Sequence, residues 1–217
     1  LGRFATGSAW ERRNSSLLAS LDFSLRRLSP EARAALPYLA WFQGGVFEDN
    51  LLDLLDMPPE RWAPLRAELE DTALISIDDQ FLLNKRPFLR FHPTLPYAAR
   101  PEDLPGPAAA EARFLAVYRA VAATADDALG GANPAAGMAL MAREEANLRA
   151  ALARAFARGE RGAGTALAGM LELYLERAGR PRERDALAAW VREQTPAGAP
   201  LDAAACAAIR QHALGLA

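Results

Sequence analysis

The chain has 217 residues, with 25 basic and 27 acidic side chains, two His, one Cys and a formal net charge of −2. This length allows one or two domains, and an apolar fraction of 51% is typical of a folded globular chain. The single Cys206 excludes a disulfide framework, and so few His and Cys cannot build a tetrahedral metal site. No apolar run approaches the roughly 18 residues that span a bilayer, so we expect a cytoplasmic protein with no membrane partner.

The composition changes near residue 100. Residues 1–100 contain 12 Ala, whereas residues 101–217 contain 37. The change falls on residues 100–107, where three Pro and one Gly cannot continue a helix. We therefore predict two domains, 1–100 and 101–217. The chain starts at Leu1 instead of Met and stays helix-forming to its last residue, which indicates a piece of a longer protein or a trimmed one.

Four short helices are predicted in the first domain. Residues 14–16 are good N-caps for the first helix, and Ser29-Pro30 supplies the N-cap and first residue of the second. Gly44-Gly45 ends the second helix, residues 47–55 form the third, and the fourth follows Pro58-Pro59. Their apolar faces consist of Leu18, Leu21, Leu25, Leu28, Leu36, Leu39, Phe42, Trp62, Leu65 and Leu69.

After the fourth helix the apolar pattern changes from helical to strand-like. Residues 74–77, 81–83 and 88–91 predict short strands, with a turn at Asp78-Asp79. Several short helices followed by a β-hairpin are typical of a winged-helix domain.

The second domain is predicted to be all helical. Its helices are expected near residues 108–129, 134–158, 163–178, 182–194 and 201–217. The third of them carries the full i, i+3, i+4, i+7 apolar stripe from Leu167 to Ala178, and abundant Ala allows close helix packing. The fold class is therefore mainly α: a winged-helix domain followed by tetratricopeptide-like (TPR-like) helical repeats, with a poor match to the repeat consensus.

We predict that this chain is not an enzyme. The one Lys, Lys85, is outside any phosphate-binding loop, and the Gly spacing of residues 159–164 lacks the Lys that should follow. Only His92 and His212 could act as a general base, and no Ser occupies a Gly-x-Ser-x-Gly turn. Neighbouring acids do not face one another on a helix, so three pairs are predicted at turns or in solvent: Asp78-Asp79, Asp126-Asp127 and Glu144-Glu145.

The fourth helix argues against DNA binding. As the reading helix of a winged helix it has a net charge of −2, from Arg61 and Arg66 against Glu60, Glu68, Glu70 and Asp71. Such a helix repels phosphates. A DNA-binding transcription regulator with a helical ligand or dimerisation domain is nevertheless the alternative function. A third hypothesis is a repeat scaffold that binds a peptide on a concave surface rich in Ala and Arg.

Three segments carry a family resemblance when they are taken in order. They are WERRNSSLLASLDFS at residues 10–24, the run from LSPEAR to LAWFQGGVF at residues 28–47, and EANLRAAL at residues 145–152. The first two resemble the opening helices of the winged-helix domain in STAND-class signalling ATPases, and the third resembles the helix that opens their repeat region. These NB-ARC relatives include bacterial regulators, apoptotic scaffold ATPases and plant resistance proteins.

The resemblance implies a non-catalytic regulatory module. In this family the hairpin is followed by a short motif, often Met-His-Asp, whose His contacts the β-phosphate of ADP in the neighbouring nucleotide domain. The matching stretch here is RFHPTL at residues 90–95, so His92 is the candidate nucleotide sensor, with Pro93 where Asp often stands. The implied partners are an upstream nucleotide-binding domain in cis and a protein or small-molecule effector on the repeats. ADP or ATP belongs to the parent protein, and this chain has no cofactor of its own.

Overall fold

The computed structural model describes residues 19, 21–83 and 85–195. These residues are mainly helical with one small three-stranded antiparallel sheet, which confirms the mainly α prediction. The chain separates into two compact units, Leu1–Ala110 and Glu111–Ala217, and the division falls inside a helix that begins at Pro107. The N-caps expected at residues 14–16, the helix expected over 201–217, Cys206 and His212 lie outside the described residues.

The first unit consists of short helices and a β-hairpin. Residues 21–26 are helical (α1), and Ser29 caps the next helix as predicted, because its Oγ accepts a hydrogen bond from the Ala32 amide at 3.1 Å. The elements that follow are α2 (Pro30–Leu39), β1 (Gly45–Phe47), α3 (Glu48–Leu55), α4 (Pro59–Asp71), β2 (Ile75–Leu83), β3 (Arg86–Phe91), α5 (Leu95–Ala98) and a 3-10 turn (Pro101–Asp103).

Strand β3 lies at the centre of the sheet, between β1 and β2. Strand β1, which the sequence did not predict, pairs Val46 with Leu89 and Phe47 with Phe88, so Phe47 belongs to a strand and not to the third helix. Gly45 allows this pairing, because a Cβ there would lie 2.5 Å from the Leu89 carbonyl oxygen. Gly45 is therefore needed because it lets β1 lie close to β3, which the sequence alone could not indicate.

The predicted turn at Asp78-Asp79 is wrong. Strand β2 continues through both residues to Leu83, and the hairpin turns at Lys85, whose φ is 67°. Asp78 stays in the strand, where it pairs with Phe88 across the sheet and its carboxylate accepts a hydrogen bond from Arg90 at 2.7 Å. The register shifts between Asp78 and Leu83, so residues 79–82 form an irregular stretch of the strand instead of a turn.

A buried carboxylate joins α3 to α4 in the first unit. Glu48 is 1% exposed, and its Oε1 accepts hydrogen bonds from Trp62 Nε1 at 2.9 Å and from Arg66 Nη1 at 2.8 Å. Burial of an ionised carboxylate is costly unless such donors compensate it. Arg66 also contacts Glu70 at 3.0 Å, so this arginine lies among carboxylates of its own unit.

The second unit is formed by long helices joined by short turns. They are α6 (Pro107–Gly130), α7 (Pro134–Ala157), α8 (Arg161–Arg177) and α9 (Pro181–Gln194). Gly164 near the start of α8 lies against Phe156 near the end of α7, whereas Arg180, just after α8, contacts Glu145 within α7. Helices α7 and α8 therefore run antiparallel, and α9 packs on α8.

Gly164 and Gly169 on α8 form a matched pair for testing how closely the helices pack. A Cβ at Gly164 would lie 2.8 Å from the Phe156 ring, which in turn packs edge-on against Trp190 at a centroid distance of 5.6 Å. A Cβ at Gly169 would have no atom within 4 Å.

We expect Gly164→Ala to lower the free energy of unfolding by about 1 kcal/mol, because overpacking outweighs the gain in helix propensity. Gly169→Ala should raise it by about 0.5–1 kcal/mol. Urea unfolding followed by circular dichroism measures both changes. Equal effects of the two substitutions would show that α7 and α8 are not closely packed at Gly164.

Candidate functional site

His92 lies at the first position of a tight turn that connects β3 to α5. Its carbonyl oxygen accepts a hydrogen bond from the Leu95 amide at 2.9 Å, which closes a four-residue turn. Pro93 occupies the second position, where its fixed φ suits a type I turn, and Thr94 follows with φ −83° and ψ −8°. Pro93 thus has a clear role as a turn former.

The backbone of His92 is also held by the sheet. Its amide donates a hydrogen bond to the Leu74 carbonyl at 2.9 Å, and the preceding amide of Phe91 donates to the Gly44 carbonyl at 2.9 Å. These bonds connect the exit of β3 to the chain just before β2 and just before β1. The Cα of His92 is therefore fixed by backbone interactions on both sides.

The imidazole ring of His92 contacts Thr94. The distance from Nδ1 to Thr94 Oγ1 is 2.7 Å, and the Thr94 amide donates to the same Nδ1 at 3.3 Å. Thr94 is only 8% exposed, whereas His92 is exposed. The Nδ1 edge of the His92 ring thus contacts the buried Thr94, while His92 as a whole remains accessible to a ligand or a partner.

Exposed apolar side chains occur in the same unit as His92. Tyr97 on α5 is 75% exposed and Leu82 on β2 is 49% exposed, and Phe23 and Ile77 are exposed as well. Large apolar side chains in solvent are commonly found where a protein contacts a partner.

Charged side chains line two clefts of the first unit. Asp22, Arg26 and Arg33 line one, where Arg26 pairs with Asp22 at 2.7 Å and Arg33 donates to the Leu25 carbonyl at 2.9 Å. Asp49 and Asp53 line the other, together with Leu52, Asp56 and residues 57–59. Burial, and then the charge of Asp49, raise the pKa of Asp53. Neither set of lining residues combines a nucleophile with a neighbouring base.

The second unit contains a buried polar cluster that the sequence analysis did not predict. Glu144 is fully buried, and its Oε2 accepts hydrogen bonds from Tyr118 Oη at 2.8 Å and from Asn147 Nδ2 at 2.7 Å. The expectation of a solvated Glu144-Glu145 pair is wrong for Glu144, because adjacent residues on a helix point about 100° apart and only Glu145 is partly exposed. Burial, and then Glu144, raise the pKa of Tyr118 well above its ordinary value.

Arginines of the second unit form ion pairs with carboxylates of the same unit. Glu111 contacts Arg154 at 3.3 Å and Arg158 at 3.0 Å, and Glu145 contacts Arg149 at 2.9 Å and Arg180 at 2.6 Å. These pairs connect α6 to α7, and α7 to the turn before α9. In the peptide-scaffold hypothesis, arginines of this unit would bind a peptide. These four arginines instead pair with carboxylates of their own unit.

No metal site is found among the described side chains. Within residues 21–83 and 85–195, no group of three or more His, Cys, Asp or Glu could hold a metal ion. None of the helices in the same part of the chain has the length and apolar character needed to cross a bilayer.

The chain matches no protein-family model, no curated protein and no solved structure.

Glu145 provides a test of the ion pairs through their pH dependence. Burial raises its pKa, but the hydrogen bonds from Arg180 and Arg149 lower it more, so the net shift is downward. A carboxyl whose pKa is lowered in the folded state stabilises the protein above its unfolded pKa. This stabilisation is lost as the pH falls through the folded pKa.

We expect Arg180→Gln to reduce the loss of stability that the wild type shows between about pH 6 and about pH 3. The measurement is the free energy of unfolding in urea at each pH. Arg192→Gln, on the exposed part of α9, is the control and should leave the wild-type pH profile unchanged. If Arg180→Gln and the wild type had identical pH profiles, Arg180 would not be the cause of the lowered pKa of Glu145.

Proposed function

We propose that this chain is a non-catalytic regulatory and protein-interaction module of a larger STAND-type signalling ATPase. In this proposal residues 1–100 act as a winged-helix domain that supports autoinhibition and senses the nucleotide state. Residues 101–217 act as TPR-like repeats that bind a partner or ligand. As in the proteins it resembles, the module acts in the cytoplasm, and ADP or ATP binds to a domain upstream.

The order of the elements in the first unit supports the winged-helix part of the proposal. Helices α1 and α2 precede the short strand β1, α3 and α4 follow it, and the β2–β3 hairpin ends the sheet in the order β1-β3-β2. In the second unit, the antiparallel helices α7 and α8, with α9 packed on α8, support helical repeats. Such repeats stack on their neighbours and expose extended surfaces to ligands.

The observation that carries the proposal is the environment of His92. The resemblance puts a phosphate-contacting His at this position, and here the residue has a backbone fixed by the Leu74 and Leu95 bonds and is exposed to solvent. A rigid backbone with an accessible imidazole suits contact with a nucleotide that a neighbouring domain holds. The exposed Tyr97 of the following helix suits contact with that domain.

The nucleotide function is tested by ADP release. In a protein that carries this chain downstream of its nucleotide-binding domain, we expect His92→Ala to accelerate ADP release about tenfold, because a hydrogen bond to a charged phosphate is lost. His212→Ala, which changes the other histidine, is the control and should release ADP at the wild-type rate. The release of a fluorescent ADP analogue in stopped flow gives both rates.

The chain by itself should neither bind nor hydrolyse nucleotide. Isothermal titration with Mg-ATP and Mg-ADP measures binding, and phosphate release measures hydrolysis. ATPase activity of the isolated chain, or an ADP release rate that His92→Ala leaves unchanged, would overturn the proposed function.

The alternative of DNA binding is disfavoured by the surface of α4. Arg66, one of its two arginines, contacts Glu48 and Glu70, while Glu60 and Asp71 are exposed on the same helix. We expect no binding to duplex DNA above background in fluorescence anisotropy at low salt. Tight binding that weakens steeply as salt is added would instead support the DNA-binding regulator.

A further inference from the structure

We propose that Thr94 is a positioning residue for His92, and that it holds the neutral imidazole as the tautomer with its proton on Nε2. The exposed histidine then offers an N–H donor to a phosphate oxygen. This inference deepens the proposed function and rests on it for the identity of the ligand. The tautomer itself is a property of the chain alone.

The contacts at Nδ1 determine where the proton lies. A backbone amide can only donate a hydrogen bond, and the Thr94 amide points at Nδ1 from 3.3 Å. If Nδ1 carried the proton, two N–H groups would face each other across this distance. Nδ1 is therefore an acceptor. The Thr94 hydroxyl lies 2.7 Å from Nδ1, is buried and has no other hydrogen-bond partner within the described residues, so it donates a second hydrogen bond to Nδ1. The proton of the neutral ring is then on Nε2.

Thr94 is itself held firmly. Pro93 sets the turn that places it, its carbonyl accepts a hydrogen bond from the Tyr97 amide at 2.9 Å, and its side chain is buried. A ring attached to such a residue keeps its orientation, as metal-ligating histidines do when a second group holds their other nitrogen. Within the described residues, the hydrogen bonds of the His92 ring all involve Nδ1.

The tautomer matters because phosphate oxygens only accept hydrogen bonds. A ring with an unprotonated Nε2 would present a lone pair to the phosphate and repel it. A ring with a proton on Nε2 donates without carrying a net positive charge. Thr94 thus determines whether His92 can recognise a phosphate while its imidazole is neutral.

The first test is nuclear magnetic resonance of the imidazole nitrogens. The ¹⁵N-labelled chain carries His212→Gln, so that all ring signals come from His92. We expect the Nε2–H tautomer to dominate. Thr94→Val, which keeps the size of the side chain but removes the hydroxyl, should lower the tautomer ratio about fivefold, the equilibrium factor of one ordinary hydrogen bond. Thr94→Ser, which restores the hydroxyl, should return the ratio to its original value.

Two results of this experiment overturn the inference. One is a His92 ring that carries its proton on Nδ1 when residue 94 is Thr. This result does not depend on whether a Thr94 variant folds. The other is a tautomer ratio that is the same with Thr and Val at position 94.

The second test measures ADP release from a protein that carries the nucleotide-binding domain upstream. Thr94→Val should accelerate release about fivefold, and Thr94→Ser should not. The double variant with His92→Ala should behave as His92→Ala alone, because Thr94 acts through the ring. Additive effects would show that Thr94 acts independently and would overturn the inference. If His92→Ala alone has no effect, the proposed function fails, and the tautomer ratios still decide the role of Thr94.

Discussion

The first unit depends on strand β3 being hydrogen-bonded on both sides. Its partners are a three-residue strand on one side and a nine-residue strand on the other, so the chain that leaves it is fixed in two directions. The backbone bonds of His92 to Leu74 and of Phe91 to Gly44 extend this constraint past the end of the strand. The turn that follows, with Pro93 at its second position, therefore starts from a residue whose backbone is already held.

Buried carboxylates connect the elements in both units. Glu48 accepts hydrogen bonds from two side chains of α4, and Glu144 accepts one from α6 and one from its own helix. Such groups favour one packing arrangement, because an alternative register would leave a charge without donors.

The distribution of charge separates the possible functions. Some arginines that could bind phosphates or acidic peptides are engaged within the chain, as Arg66 is in the first unit and Arg180 in the second. Others, such as Arg61 and Arg192, are exposed. Accessible features of the first unit include the His92 turn, large apolar side chains such as Tyr97 and Leu82, and basic side chains such as Arg61 and Lys85. Under the proposed function, the apolar side chains would contact a protein domain and His92 would make one polar contact to its ligand.

The sequence determined the features that depend on local interactions. Its helix predictions at 134–158 and 182–194 differ from Pro134–Ala157 and Pro181–Gln194 by one residue, because Pro and Gly break helices whatever surrounds them. Only the tertiary structure decided that Gly45 lies in a strand, that Asp78 stays in one, that Glu144 is buried and that Thr94 lies beside the His92 ring. The first three depend on partners distant in the chain. The Thr94 contact needs a turn that starts from a His92 backbone held by the sheet, so no local pattern could reveal it.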